Sequence, residues 1–248
     1  MRKLFFSIYI LLCCTTVTVA QSRILSPAEI YRQVVKSTVT IITDAEALGS
    51  GFYVAPNVVA TNYHVIEGAT NAKCVLTNTS TQVNVTGYVA VDKSADLILL
   101  KVTGAPRTPL RLAHGNVTTG QIIYAIGAPQ GMEGTISDGI VSAVRTLDNL
   151  TFIQITAPIS QGSSGGPIIN RVGEVVGIAT LIHSGGQNLN FAVNYSHLQT
   201  LIRRMRTAPT ALAQLGGQPP AHTGRASTPK RQEEPGSFCN TIIKIKGE

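Results

Sequence analysis

The 248-residue sequence has no tryptophan, only 6 Phe and 7 Tyr, and a charged fraction of 13 %. That charged share is about half the usual value for soluble domains. Cysteine is scarce too, with four in all. No cysteine–histidine spacing resembles a zinc site, and His64-Val65-Ile66-Glu67 is not the HExxH arrangement, so no metal and no other cofactor is expected. Apolar runs of spanning length are missing beyond the first twenty residues, which excludes a later transmembrane helix. The basic cluster Arg203, Arg204 and Arg206 has no aromatic platform beside it, and nucleic acid is not an expected partner. What is abundant is glycine, at 23 residues, within a hydrophobic fraction of 44 %. That balance suits many short strands joined by tight turns better than a helical bundle.

The chain opens MRKLFFSIYILLCCTTVTVAQS, with a basic start, an apolar run and a small-residue site ending at Ala20. This is the layout of a secretory signal peptide over residues 1–20, with cleavage near Ala20 and export to the periplasm or the medium; the alternative is an uncleaved N-terminal anchor. Its removal takes Arg2 and Lys3 and lowers the formal charge from +7 to about +5. Cys13 and Cys14 leave with it. Cys74 and Cys239 remain as a possible pair in an oxidising compartment.

Downstream, SPAEIYRQVVKS reads as a short helix with Ser26 as N-cap, Pro27 first and Glu29 closing a capping box. Short β-branched runs then fill residues 37–103 and, after a Gly/Pro/Thr-rich linker, residues 118–194. The expected fold class is all-β: two six-stranded antiparallel β-barrels, with a short N-terminal helix and a C-terminal helix. In that second helix Leu198, Leu201, Ile202 and Met205 share one face. The domain is thus expected over 21–206, followed by a flexible Pro/Gly-rich tail over 207–248. Sequons stand at Asn78, Asn84, Asn116, Asn149 and Asn194.

Three short segments carry chemistry. His64 in ATNYHVIEGA follows an apolar strand and is placed at a strand end. Asp96 in DKSADLILLKV abuts the apolar run beginning at Leu97, which carries its carboxylate inward, where an imidazole N–H would satisfy it. The alternative for Asp96 is a strand-initiating residue satisfied by backbone amides. Asp92, in the preceding turn, reads as a surface residue. In PISQGSSGGPIIN, Gly162 permits a bend before Ser163 and Ser164, and Gly165 and Gly166 allow close approach of the backbone. Such a bend can aim the N–H groups of Gly162 and Ser164 at one point. The order His, Asp, Ser is the one of the chymotrypsin fold.

Through GSGFYV, TNYHVIEGA, ADLILLKV, AIGAPQG, GIVSAV and GSSGGPIINRVGEVVGI, residues 29–206 resemble the protease domain of the HtrA/Deg serine proteases, within the trypsin-like superfamily. The resemblance implies a serine endopeptidase with His64 as general base, Asp96 orienting it and Ser164 as nucleophile. The oxyanion site would be backbone of the 162–164 turn (Gly162, Ser163, Ser164), with amides from Gly162 and Ser164 and Ser163 as scaffold. Pro158, Ile159, Thr180, Leu181, Ile182, Asn190 and Phe191 would line the specificity pocket. No carboxylate lies among them, so a small or medium apolar P1 residue is expected, with Asn188 and Asn190 nearby. The implied partners are unfolded or extended polypeptides, with a homo-oligomer possible and a role in quality control or processing.

Two departures stand out. Ser163 occupies a position that is Asp in digestive trypsin-like enzymes and usually Asn in the HtrA group, so activation by a buried new N-terminus is not expected. Only about forty residues follow position 206, too few for the PDZ domains common in HtrA proteins, and the loop 130–139 is short. A non-catalytic or latent chaperone-like module using the same cleft is the alternative, as is a narrow processing enzyme with one partner.

Overall fold

The computed structural model describes residues 23–77, 79–128, 134–180 and 190–215. The expected signal segment 1–20, Asn78, Leu181, Ile182, Asn188 and Cys239 lie outside the described residues. The capping box forms as the sequence dictates. Ser26 Oγ accepts from Glu29 N, and the Glu29 carboxylate accepts from the Ser26 amide. These bonds satisfy amides that the first turn of α1 (Pro27–Val34) leaves without helical partners. With the Arg23 guanidinium adding its charge, they hold the Glu29 carboxyl down at about 2.

Twelve strands form two closed barrels. The first comprises β1 (Thr38–Thr43), β2 (Leu48–Ala55), β3 (Val58–Asn62), β4 (Ala72–Leu76), β5 (Gln82–Asp92) and β6 (Leu97–Val102). Its strands close in the order β1-β2-β3-β6-β5-β4. The second comprises β7 (Ile122–Gly127), β8 (Thr135–Leu147), β9 (Leu150–Ile155), β10 (Pro167–Asn170), β11 (Val175–Thr180) and β12 (Asn190–Asn194). It closes as β10-β11-β12-β9-β8-β7, and every pairing in both barrels is antiparallel. Two further helices follow a strand each: α2 (Tyr63–Ile66) after β3, and α3 (Tyr195–Arg203) after β12.

Period-two alternation divides the apolar side chains among three clusters. On β6, Ile98 and Leu100 fill the first barrel, while Leu97 and Leu99 join a cluster drawn from both barrels and from α1 and α3. That double burial explains why β6 reads as an unbroken apolar run. Ile123, Ile153, Ile155 and Ile168 fill the second barrel. Each such side chain contributes roughly 1.5–3 kcal/mol by leaving water.

Two segments differ from expectation. Residues 103–120 are not a loose linker: Leu110 N donates to Tyr53 O, Ala113 N to Val175 O and Val175 N to Arg111 O. The connection is laid along both barrels. Residues 207–215 are not tail. Thr210 pairs with Tyr88 of β5, and Leu212 and Leu215 are buried in the first barrel's cluster. Two leucines at i and i+3 are enough to anchor a strap whose composition otherwise reads as solvent-facing.

Candidate active site

The three candidate groups reach the site by different local devices. α2 begins directly after β3, so His64 sits in its first turn and keeps 39 % of its side-chain surface exposed. Asp96 stands at the tight turn leading into β6, with a positive φ of 53°. Aspartate tolerates that left-handed geometry better than most residues. The turn is held by Asp96 N donating to Lys93 O, and the Asp96 carbonyl accepts from both Tyr63 N and Asn62 Nδ2.

The Asp96 carboxylate is buried and fully engaged. It accepts the His64 amide at 2.9 Å on Oδ1, the His64 ring Nδ1 at 2.7 Å on Oδ2, and Thr180 Oγ1 at 3.4 Å on Oδ2. Three donors repay the desolvation of a buried carboxylate. Because the carboxylate takes the proton on Nδ1, the basic nitrogen of neutral His64 is Nε2. Burial pulls the imidazole's affinity for protons down. The hydrogen bond and charge of Asp96, with Glu67 adding, outweigh it and hold His64 above its ordinary value of 6.5.

The serine turn is built from peptide hydrogen bonds. Ser163 N donates to Ser160 O across a four-residue turn, with Gly162 in its third position at φ 92°. This is the position of a type II turn that requires positive φ, hence glycine. Gly165 has φ 86°, and a Cβ there would collide with Ser50 O and Thr61 Oγ1. The turn thus presses against β2 and the end of β3, three residues before His64. Ser50 N donates to Ser164 O, while Thr61 Oγ1 donates to Ser50 O. Ser163 and Ser164 are both buried, and Ser163 Oγ accepts from Ser160 N at 3.3 Å, a bond within the turn.

The expected pocket residues separate. Pro158 and Ile159 line an uncharged cavity of about 180 Å³ with Ile126, Ala179, Thr135 and Ser137, and Ser163 at its edge. Asn190 Nδ2 donates to Ala157 O and so braces the segment between β9 and Pro158. Thr180 is spent on Asp96. Phe191 does not line the cavity: it packs into the cluster shared by the barrels and α3, because strand parity turns it and Val193 to the opposite face from Ala192. Among the sequons, Asn194 is buried and caps α3 through Ser196 N. Among the described residues, no three His, Cys, Asp or Glu converge as metal ligands.

Sequence reasoning missed Ser50. Its hydroxyl donates to Gly162 O at 2.7 Å and accepts from Ala128 N at 3.0 Å, 112 residues away in the first case. The only local signal was a serine between two glycines in GSGF.

A family model described as Trypsin-like peptidase domain matches residues 49–178. A probable periplasmic serine endoprotease DegP-like from Pseudomonas fluorescens is 36 % identical over 173 residues, covering 66 % of this chain and 36 % of that protein. A putative serine protease HhoB from Synechocystis is 32 % identical over 173 residues, covering 65 % of this chain and 41 % of that protein. The chain therefore spans little more than a third of the curated relatives it matches. Among solved structures, the serine endoprotease from Yersinia pestis superposes with a TM-score of 0.65 at 26 % identity, over 72 % of this chain and 65 % of that one. The active form of the Rv3671c protease from M. tuberculosis gives a TM-score of 0.68 at 22 % identity, over 77 % of this chain and 92 % of that one, a likeness of fold alone. With two six-stranded barrels and a match running from β2 to β11, the chain belongs to the trypsin-like peptidase domain family.

Proposed function

We propose that this protein is a serine endopeptidase of the HtrA type. The observation that carries the reading is the 2.7 Å contact between His64 Nδ1 and the buried Asp96 carboxylate, beside a glycine turn that carries Ser164. In this reading Ser164 Oγ attacks the scissile carbonyl while His64 Nε2 takes its proton. Asp96 keeps the imidazole in the required tautomer and stabilises the imidazolium. The N–H groups of Gly162 and Ser164 receive the developing oxyanion. His64 then protonates the leaving amine, and water hydrolyses the acyl-enzyme by the reverse sequence.

The uncharged cavity at Pro158 and Ile159 supports a small or medium apolar residue at P1. Relatives described as periplasmic endoproteases support export after cleavage near Ala20, with extended polypeptides as substrates in quality control or processing. Assembly into a homo-oligomer is part of the same proposal.

The test is a fluorophosphonate probe on protein beginning at Gln21, with the labelled peptide mapped by mass spectrometry and His64→Ala as control. Label on Ser164 that disappears in the control is the expected result. An unlabelled wild-type protein would favour the non-catalytic peptide-binding module instead.

A further inference from the structure

Ser50 lies in β2, 1 % exposed, yet every polar atom it has is turned toward the serine turn or toward the strand that ends beside His64. The amide holds Ser164 O at 2.8 Å, the hydroxyl holds Gly162 O at 2.7 Å, and the carbonyl accepts Thr61 Oγ1 at 2.8 Å. One first-barrel residue thus grips the carbonyls on both sides of Ser163.

The consequence follows peptide by peptide. The 162–163 peptide is pinned at both ends, its oxygen by Ser50 Oγ and its N–H by Ser160 O. The 164–165 peptide is pinned likewise, its oxygen by Ser50 N and its N–H by Ala179 O. Between them, Ser163 O accepts from Gly166 N at 3.0 Å. A trans peptide points its C=O and N–H in opposite directions, so this bond aims the Ser164 N–H away from Gly166. On the upstream side, Gly162 owes its φ of 92° to nothing intrinsic, since glycine takes either sign of φ with equal ease. What fixes it is the plane that follows, and Ser50 Oγ holds that plane. The same hydroxyl accepts from Ala128 N at 3.0 Å, which ties the turn to the end of β7 as well.

We infer that Ser50 is a positioning residue for the oxyanion site: its hydroxyl, supplied by the first barrel, fixes the peptide plane that follows Gly162 in the second and through it the direction of the Gly162 amide. The inference rests on the protease reading above. Ser50 does not touch the reacting atoms, and its effect is on the transition state rather than on substrate binding.

The experiment compares wild type, Ser50→Ala and Thr40→Val, using a peptide ester, a fluorophosphonate and a peptide boronate that mimics the tetrahedral adduct. Thr40 faces Ser50 across β1 and β2, and among the described residues its buried hydroxyl has no hydrogen-bond partner, so Thr40→Val is the matched loss of a neighbouring buried hydroxyl that holds no peptide of the serine turn. Ser50→Ala is expected to lower kcat by roughly ten- to a hundredfold with KM within about twofold, and to weaken the boronate by a similar factor. Affinity for an uncleaved peptide, measured with Ser164→Ala in both backgrounds, should stay within about twofold. Thr40→Val should keep wild-type rates. Ser50→Cys, which retains a weak donor of similar shape, should fall between wild type and Ser50→Ala.

Ser50→Ala with wild-type kcat would overturn the inference. So would parallel loss of boronate and peptide affinity together with melting near the assay temperature, which would assign the hydroxyl to stability alone. Wild-type protein inert to the fluorophosphonate would instead defeat the protease reading, and this inference with it.

Discussion

The two barrels equip the site in unlike ways. The first contributes side chains: a half-buried histidine at the start of a four-residue helix and a buried aspartate in a left-handed turn, joined by hydrogen bonds. The second contributes backbone: a glycine turn whose peptides are fixed one after another around Ser163 and Ser164. The first half titrates, and pH governs it. The second half has no titrating group in the turn itself, and only geometry governs it. A buried carboxylate needs a few strong donors, whereas aimed amides need several weak constraints that agree.

The sharpest test of that contrast is the pair of serines. Ser164→Ala is expected to lower kcat/KM by about five to six orders of magnitude, and Ser163→Ala by about tenfold or less, since Ser163 Oγ makes a bond inside the turn. Equal losses in steady-state assays would break the assignment of the nucleophile.

On the first barrel's side, Asp96→Asn should cost about four orders of magnitude in kcat, because an amide stabilises the wrong imidazole tautomer. The pH profile sharpens the same point. His64 must be neutral to act as base, and its affinity for protons is raised, so the acid limb of kcat/KM is expected above pH 6.5. For stability the sign is opposite: protonated His64 favours the fold below pH 6.5, and that contribution disappears as pH rises through the folded value. An acid limb below 6.5 in wild type would contradict the ion-pair account.

Leu212→Ala separates fold from site. Leu212 is 4 % exposed in the first barrel's cluster, so its truncation should cost about 2–5 kcal/mol in urea unfolding. The kcat of the folded fraction should hold. Unchanged stability would mean that residues 207–215 are tail after all.

The smallest effect concerns Cys74. Burial pushes its thiol up to about 12 and leaves it fully enclosed among first-barrel side chains. Thiol reagents should label it at native pH only after unfolding. Rapid labelling, or loss of the free thiol on oxidation, would show that the first barrel opens far enough to admit a partner.

Local features were legible because they depend on neighbours in sequence. The capping box needs only Ser26, Pro27 and Glu29, and the strand pattern of β6 needs only its own apolar run. His64, Asp96 and the glycine turn could be singled out by residue type and order, and the fold brings His64 and Asp96 into contact. Phe191 was misplaced because a strand's two faces differ by one residue, and parity depends on which neighbours the strand acquires. Ser50 was missed because a serine between glycines looks the same whether its hydroxyl meets water or a peptide 112 residues away.

The amino-acid sequence by itself determined the strand pattern and its division into two six-stranded barrels, and it offered the candidate groups His64, Asp96 and Ser164. These follow from periodicity, turn chemistry and side-chain type, all written within a few residues of one another. Only the tertiary structure decided which face each strand turns inward, that residues 207–215 close over the first barrel, and that a β2 serine holds the turn bearing Ser164. Those outcomes depend on closing a barrel and bringing two barrels together, which is how the buried Ser50 hydroxyl meets a carbonyl on the other half of the chain.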